Sequence, residues 1–230
     1  MRIVLFDIDG TLLRSGGAGR VAMERALTGV FGSAGSSDYR YDGKTDRQIV
    51  RELMRQEGFT DDEIDESMDD LLEAYVSGLH GELAARGRKV LVCDGVPELL
   101  DALEARNDIV LGLLTGNIER GARAKLSAAG IDPARFRVNA FGSDHEHRPH
   151  LPAVAQRRAR ELLGTEVAGD RLIVIGDTPA DIQCGESIGA KAIAVATGRF
   201  STDELRAYDP YAVFESLRDT NEVMTAILDA

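Results

Sequence analysis

Residues 2–6 contain an apolar run, Ile3-Val4-Leu5-Phe6, behind a single arginine. Such a run, with no polar alternation, predicts a strand buried on both faces of a parallel sheet. The period then changes. Between residues 16 and 87 apolar side chains recur at helical spacing, first as Met23, Leu27, Val30 and Phe31, then as Ile49, Val50, Leu53 and Met54. A third stretch carries Ile64, Met68, Leu71, Leu72, Tyr75, Val76 and Leu79 on one stripe. It opens with Thr60 and Glu63, the spacing of a capping box. Beyond it the strand pattern returns. Strands are expected over 108–114, 136–141, 171–175 and 192–196, with intervening helices that end near Gly130 or start near Pro152 and Ala180.

Strands alternating with helices imply a parallel sheet wrapped by helices on both faces. The expected fold class is therefore α/β, a Rossmann-like parallel sheet core with an inserted all-helical cap. The core takes residues 1–15 and 88–230, and the cap takes 16–87. Glycines mark both joins, Gly16-Gly17 on one side and Gly81 to Gly87 on the other.

Polar residues stand where the strands end. Asp7 and Asp9 follow the first strand and precede Gly10, which permits a sharp turn. Thr115 follows a second strand, and Asp177 with Asp181 follow a third. In a parallel sheet these ends share one edge, where open α/β sheets bind ligands. Close-set carboxylates repel, so a site that keeps them ionised needs a cation. Oxygen-only donors favour Mg²⁺ over zinc or copper, which makes Asp7, Asp9, Asp177 and Asp181 the candidate metal residues. Thr115 offers a hydroxyl donor, and the helix that starts after Gly116-Asn117 offers free backbone N–H groups to an anion. Arg148, in the loop after the strand expected over 136–141, is a candidate planar clamp for phosphate. Each unit-charge pair at 4 Å costs about 4 kcal/mol at intermediate dielectric, so a dianionic substrate would need both the metal and the arginine.

The net charge of −12, from 27 basic and 39 acidic residues, argues against nucleic acid or an anionic membrane as partner. A small phosphorylated metabolite remains compatible, because a metal and a few basic groups reverse the sign locally. Cys93 and Cys184 are far apart and in no metal-ligand spacing, and read as core thiols of a reducing compartment. No leader pattern precedes the first strand, and no apolar run approaches the ~18 residues of a membrane span. The expected location is cytoplasmic.

Three segments together, Asp7-Ile8-Asp9-Gly10-Thr11-Leu12, Leu114-Thr115-Gly116-Asn117 and Gly176-Asp177-Thr178-Pro179-Ala180-Asp181, resemble the first, second and fourth motifs of the haloacid dehalogenase superfamily. Motif order and the helical block after the first motif are most similar to its phosphoglycolate phosphatase-like members. The resemblance implies that Asp7 is the nucleophile of a phosphatase and forms an aspartyl-phosphate. It implies that Asp9 protonates the leaving oxygen and then activates water. It further implies Mg²⁺ held by the Asp7 carboxylate, the Asp9 backbone carbonyl and Asp177, with Asp181 orienting a metal-bound water and Thr115 binding phosphoryl oxygens.

The third motif departs from the family pattern. A lysine ahead of a proline is usual, whereas this chain reads Glu146-His147-Arg148-Pro149. Arg148 can fill that role with a bidentate grip, and Arg157 or Arg158 on the next helix is the rival.

Each motif also has a plainer reading. A calcium loop would need an acid or amide at Thr11 and a glycine at Leu12. His145, His147 and His150 invite a zinc site but lack an obvious fourth ligand, and are expected to form a solvated loop. Thr45 or Asp46 reads as a helix N-cap, and Lys44 or Arg47 beside it as cap specificity residues. Asp9 disfavours a dehalogenase, since halide leaves without protonation. The alternatives to a phosphatase are a sugar-phosphate mutase of the same fold and a phospho-aspartate switch protein.

Overall fold

In a computed structural model that describes residues 1–85, 87 and 89–230, the first strand, β1 (Arg2–Phe6), lies inside a sheet rather than at its edge. A short strand β2 (Leu13–Arg14) follows it. The chain then leaves for three helices, α1 (Ala18–Phe31), α2 (Asp46–Gln56) and α3 (Asp61–Ala84). It returns through β3 (Leu91–Val92), which pairs antiparallel with β2. This two-stranded ribbon ties the exit and the return of the helical block side by side. The expected second join, Gly81 to Gly87, starts instead inside α3, because that helix runs on to Ala84; Arg86 within the join and Arg88 beyond it are outside the described residues.

The rest alternates as the pattern predicts. Helix α4 (Val96–Glu104) leads to β4 (Ile109–Thr115), and α5 (Glu119–Ala128) to β5 (Val138–Phe141). Helix α6 (Leu151–Leu163) precedes β6 (Leu172–Gly176), and α7 (Pro179–Cys184) precedes β7 (Lys191–Val195). The chain closes with α8 (Thr202–Arg206), β8 (Ala212–Phe214) and α9 (Thr220–Asp229). The large sheet has the order β5-β4-β1-β6-β7-β8, with every pairing parallel.

Both faces of this sheet are covered, which accounts for the unbroken apolar strands. On one face Val4, Phe6, Leu111, Leu113, Ile173 and Ile175 pack against residues of α4, α5 and α9. On the other, Ile3, Leu5, Val110, Val138, Leu172 and Val174 meet Leu151, Ala155 and Ala159 of α6. Helices α1 to α3 bury their stripes on one another in a separate apolar cluster, which meets the sheet layer at Ile118 and Ala124. The helical block therefore has its own core and rests on the end of the sheet. Thr60 and Glu63 form the expected capping box at the start of α3.

Register sets the site. Phe6 is level with Leu113 on one side and Ile175 on the other. Asp7, Thr115 and Asp177 thus emerge together at the C-terminal edge. The strand expected over 136–141 starts two residues later, because Pro133–Arg135 forms a 3-10 turn before it. No described helix is long and apolar enough to cross a membrane.

Candidate active site

Asp7 and Asp9 leave β1 through a turn closed by Gly10, whose φ is 86°. The glycine is also required by space, since a Cβ there would overlap the Asp177 carboxylate. Thr11 donates its hydroxyl to Asp177 Oδ1 at 3.1 Å, so the first motif directly braces the fourth.

Asp7, Asp177 and Asp181 are buried, and one carboxylate oxygen from each lies within 4.8 Å of the others. Arg148 is buried against them. Its Nη2 donates to Asp7 Oδ1 at 3.1 Å, to Asp181 Oδ1 and to the Leu114 carbonyl at 3.3 Å. Its Nε is buried with no hydrogen-bond partner among the described residues. The Asp181 backbone N–H and Thr178 make the reciprocal capping box that starts α7, and Asp181 Oδ2 accepts from both the Thr178 N–H and its hydroxyl. One side chain thereby orders the helix with one oxygen and meets Arg148 with the other.

Burial pushes the Asp7 carboxyl up to about 6, against the pull of Arg148 and with a further push from Asp181 and Asp9. Burial, and then Asp181 and Asp7, lift Asp177 well above the usual carboxylate range. A single guanidinium does not balance this much buried negative charge, and the donor atoms are all carboxylate oxygens. That is the chemistry of a hard divalent cation site, so Asp7, Asp177 and Asp181 fit the metal the family resemblance implies.

Asp9 stands apart from that cluster. Its Oδ2 accepts from Lys125 Nζ at 2.6 Å and from Asn117 Nδ2 at 2.8 Å. Asn117 also donates to Thr115 Oγ1 at 2.8 Å and accepts from Lys125 at 2.6 Å. Thr115 and Gly116 lie at the same edge, and Gly116 has no room for a side chain, because a Cβ would overlap the Lys44 carbonyl oxygen.

The helical block closes over this edge through the segment before α2. Thr45 caps α2 by accepting from the Gln48 N–H at 3.1 Å and donates its hydroxyl to the Glu146 carbonyl at 2.5 Å. Asp46 instead reaches the other layer. Its N–H donates to the Gly116 carbonyl at 2.8 Å, and its Oδ2 accepts from the Ile118 N–H at 2.8 Å, at the start of α5. Burial raises the Asp46 carboxyl to about 6, while Lys125 and the Ile118 N–H hold it down.

Between the layers lies a cavity of about 540 Å³, lined by Asp7, Asp9, Thr115, Gly116, Asn117, Arg148 and Asp177 below. Above are Arg20, Arg40, Tyr41, Lys44 and Tyr75, with Arg199 at the side. The Tyr41 hydroxyl is buried without a hydrogen-bond partner among the described residues. Among the described residues Arg40 has no ion pair, whereas Arg20 pairs with Glu24 and Arg199 with Asp42. Lys44 reaches the cavity, though its ammonium donates to Tyr39 Oη at 2.8 Å and pairs with Glu52.

The two expected cap specificity residues separate here: Lys44 lines the cavity, but Arg47 does not and instead faces Asp69 of α3 at 3.9 Å. Of the third-motif rivals, Arg148 enters the carboxylate cluster. Arg158 pairs with Asp144 at 2.6 Å and Arg157 faces Glu161 at 3.8 Å. The rings of His145, His147 and His150 lie 4.2–6.5 Å apart, yet among the described residues the carboxylate trio is the group whose ligand atoms converge. Neither Lys125 nor the reach of Asp46 into the other layer is expected from the sequence pattern. The one local signal for Lys125 is its place on the apolar stripe of α5, beside Ala122 and Leu126.

A parallel sheet whose edge gathers carboxylates, a hydroxyl and a buried guanidinium under a helical layer defines an α/β hydrolase of the Rossmann-like type. Residues 4–195 match the family model described as haloacid dehalogenase-like hydrolase, and the chain belongs to that family. It is 25% identical over 253 aligned residues to the phosphoglycolate phosphatase of Escherichia coli K12, covering 95% of this chain and 90% of that one. It is 28% identical over 213 residues to a 5'-nucleotidase of Pseudomonas aeruginosa, covering 90% and 88%. Among solved structures, a hydrolase from Pseudomonas syringae superposes with a TM-score of 0.74 at 20% identity, over 99% of each chain.

Proposed function

We propose that this hydrolase cleaves a small phosphate monoester through an aspartyl-phosphate, with Asp7 as nucleophile and Asp9 as general acid and base. The observation that carries the reading is the meeting of three carboxylates and one buried guanidinium beside a cavity whose lining mixes Arg20, Arg40, Lys44 and Arg199 with Asp38, Asp42 and Asp46. In a protein of net charge −12, these basic residues offset the carboxylates of the same lining, and a bound divalent cation would tip the balance toward an anion. The relatives named phosphoglycolate phosphatase and 5'-nucleotidase support the same reaction class.

In the first half-reaction an Asp7 carboxylate oxygen attacks phosphorus, the bond to the leaving oxygen breaks, and Asp9 gives that oxygen a proton. In the second, Asp9 takes a proton from water, the water oxygen attacks phosphorus, and the bond to Asp7 breaks to release phosphate and restore the carboxylate. Arg148 holds Asp7 in place and sets positive charge beside the transferred group. Thr115 and the backbone N–H groups at Gly116 and Asn117 serve the phosphoryl oxygens. Asp7, Asp177 and Asp181 would hold Mg²⁺, with the Asp9 backbone carbonyl as a further donor. When bound, that cation offsets the charge of the phosphoryl group. We assign residues 16–87 as a cap on a core of 1–15 and 88–230. Lys44, Arg40 and Tyr41 of the cavity lining face the leaving group.

The test is phosphate release from a panel of esters, run with Mg²⁺ and then with EDTA. The panel contains phosphoglycolate, sugar phosphates, nucleoside monophosphates and a nitrophenyl ester. Metal-dependent release from at least one ester is expected. Absence of release from every member, with folded and metal-loaded protein, overturns the proposal. Activity that appears only after priming by a bisphosphate would assign a mutase instead.

A further inference from the structure

Lys125 is a buried lysine on an otherwise apolar helix face, with its side chain 5% exposed. A buried ammonium is costly unless it is paired and hydrogen-bonded, and here two partners meet that cost, Asp9 Oδ2 and Asn117 Oδ1, both at 2.6 Å. The geometry at Asp9 is one-sided. Lys125 and Asn117 both grip Oδ2, and no described donor reaches Oδ1. The side chain of Asp9 is 40% exposed, and the residue lines the cavity. Anchoring one oxygen of a planar carboxylate from two directions fixes where the other oxygen points. The anchor is itself built in. Lys125 lies two helical turns beyond Asn117 and its side chain leans back toward the helix N-terminus, as helical side chains do. Gly19 of α1 leaves the room for it, since a Cβ there would stand 3.2 Å from Nζ.

We infer that Lys125, through its grip on Asp9 Oδ2 together with Asn117, is a positioning residue that presents Asp9 Oδ1 to the leaving oxygen. The inference rests on the acid/base role proposed for Asp9. It links motifs that the sheet alone would leave separate, because Thr115, Asn117, Lys125 and Asp9 form one hydrogen-bonded chain.

Leaving groups tell positioning from packing. An alkoxide must be protonated as it departs, whereas nitrophenolate departs as a stable anion. Lys125→Met keeps the length and apolar body of the side chain and removes the ammonium. Single-turnover phosphorylation with enzyme in excess and Mg²⁺ present should be timed for the best alkyl ester of the panel and for the nitrophenyl ester. The expected result is a fall of about 100-fold or more on the alkyl ester and under about threefold on the nitrophenyl ester, the scale of a lost general acid. Equal loss on both esters, or loss on neither, overturns the assignment. If Lys125→Met melts early, Gly19→Ala decides: it keeps the charge, favours the helix and crowds Nζ. A smaller loss of the same selectivity is expected from it, and a non-selective change overturns the assignment. A wild type inactive on every ester overturns the phosphatase reading itself, and this inference falls with it.

Discussion

Asp46 and Ile118 belong to different layers, yet the Asp46 carboxylate accepts the Ile118 backbone N–H at 2.8 Å and so caps a helix of the sheet layer from the helical block. Helix α5 has no side-chain cap of its own at Ile118, and the first N–H groups of a helix need an acceptor. The bond docks the block onto the second motif.

The charge on this cap has a pH signature. Burial raises the Asp46 carboxyl to about 6, so the folded state holds its proton more tightly than the unfolded chain does. Folding stability from this group is therefore greatest at low pH and is lost as pH rises through about 6. Asp46→Asn keeps an acceptor oxygen without the charge. Its melting temperature relative to wild type should rise between pH 5 and pH 8, by the equivalent of about 1.4 kcal/mol. A difference that stays flat with pH would remove the burial argument.

Asp7→Asn should lose turnover to background while retaining the wild-type fold by circular dichroism. The amide still fills the space beside Arg148 but is far too poor a nucleophile for phosphorus. Residual turnover at a substantial fraction of wild type would exclude covalent catalysis through Asp7.

Asp9→Asn should lower kcat by about 10²- to 10⁴-fold, with KM changed little, because an amide cannot exchange the proton. A change confined to KM would contradict the acid/base assignment and place Asp9 among the binding groups.

Arg148 is wedged between Asp7 and Asp181, and removing it leaves buried carboxylates without their cation. Arg148→Ala should cost about 3 kcal/mol or more of stability near pH 7.5 in the absence of metal. The loss should shrink near pH 5, because the Asp7 carboxyl, pushed up to about 6 even with Arg148 beside it and higher without it, is then protonated in both proteins. Denaturant melts at the two pH values make the comparison.

Metal binding should compete with protons at the same trio. A divalent cation favours the ionised carboxylates, while burial lifts Asp7 to about 6 and Asp177 well above its usual range. The rise in melting temperature on replacing EDTA with Mg²⁺ should be large at pH 7.5 and small at pH 5.5. An equal rise at both pH values would place the bound ion away from Asp7.

Much of this architecture is legible in the chain because its signals are local. The unbroken run of β1, the helical stripes of α1 to α3 and the polar residues at strand ends each report on their own surroundings. Strands β2 and β3 are different. Each is a two-residue pairing between Leu13-Arg14 and Leu91-Val92, too short for any periodicity and created by where the block departs and returns. The terminal β8 is likewise short and only partly buried.

The site divides in the same way. Residue order alone is enough to mark the candidates at the strand ends, Asp7, Asp9, Thr115, Asp177 and Asp181, since a parallel sheet brings its C-terminal ends to one edge whatever the loops do. Packing in three dimensions is what selects the arginine that enters the carboxylate cluster, turns Arg47 away from the cavity, sets Asp46 as cap on a helix of the other layer and brings Lys125 to Asp9. Those choices depend on which side chains meet after burial, where a charge must find a partner across distances in sequence of 72 residues for Asp46 and Ile118 and 116 for Lys125 and Asp9. No local pattern carries that pairing, because desolvation acts on the folded surroundings of a charge and not on its neighbours along the chain.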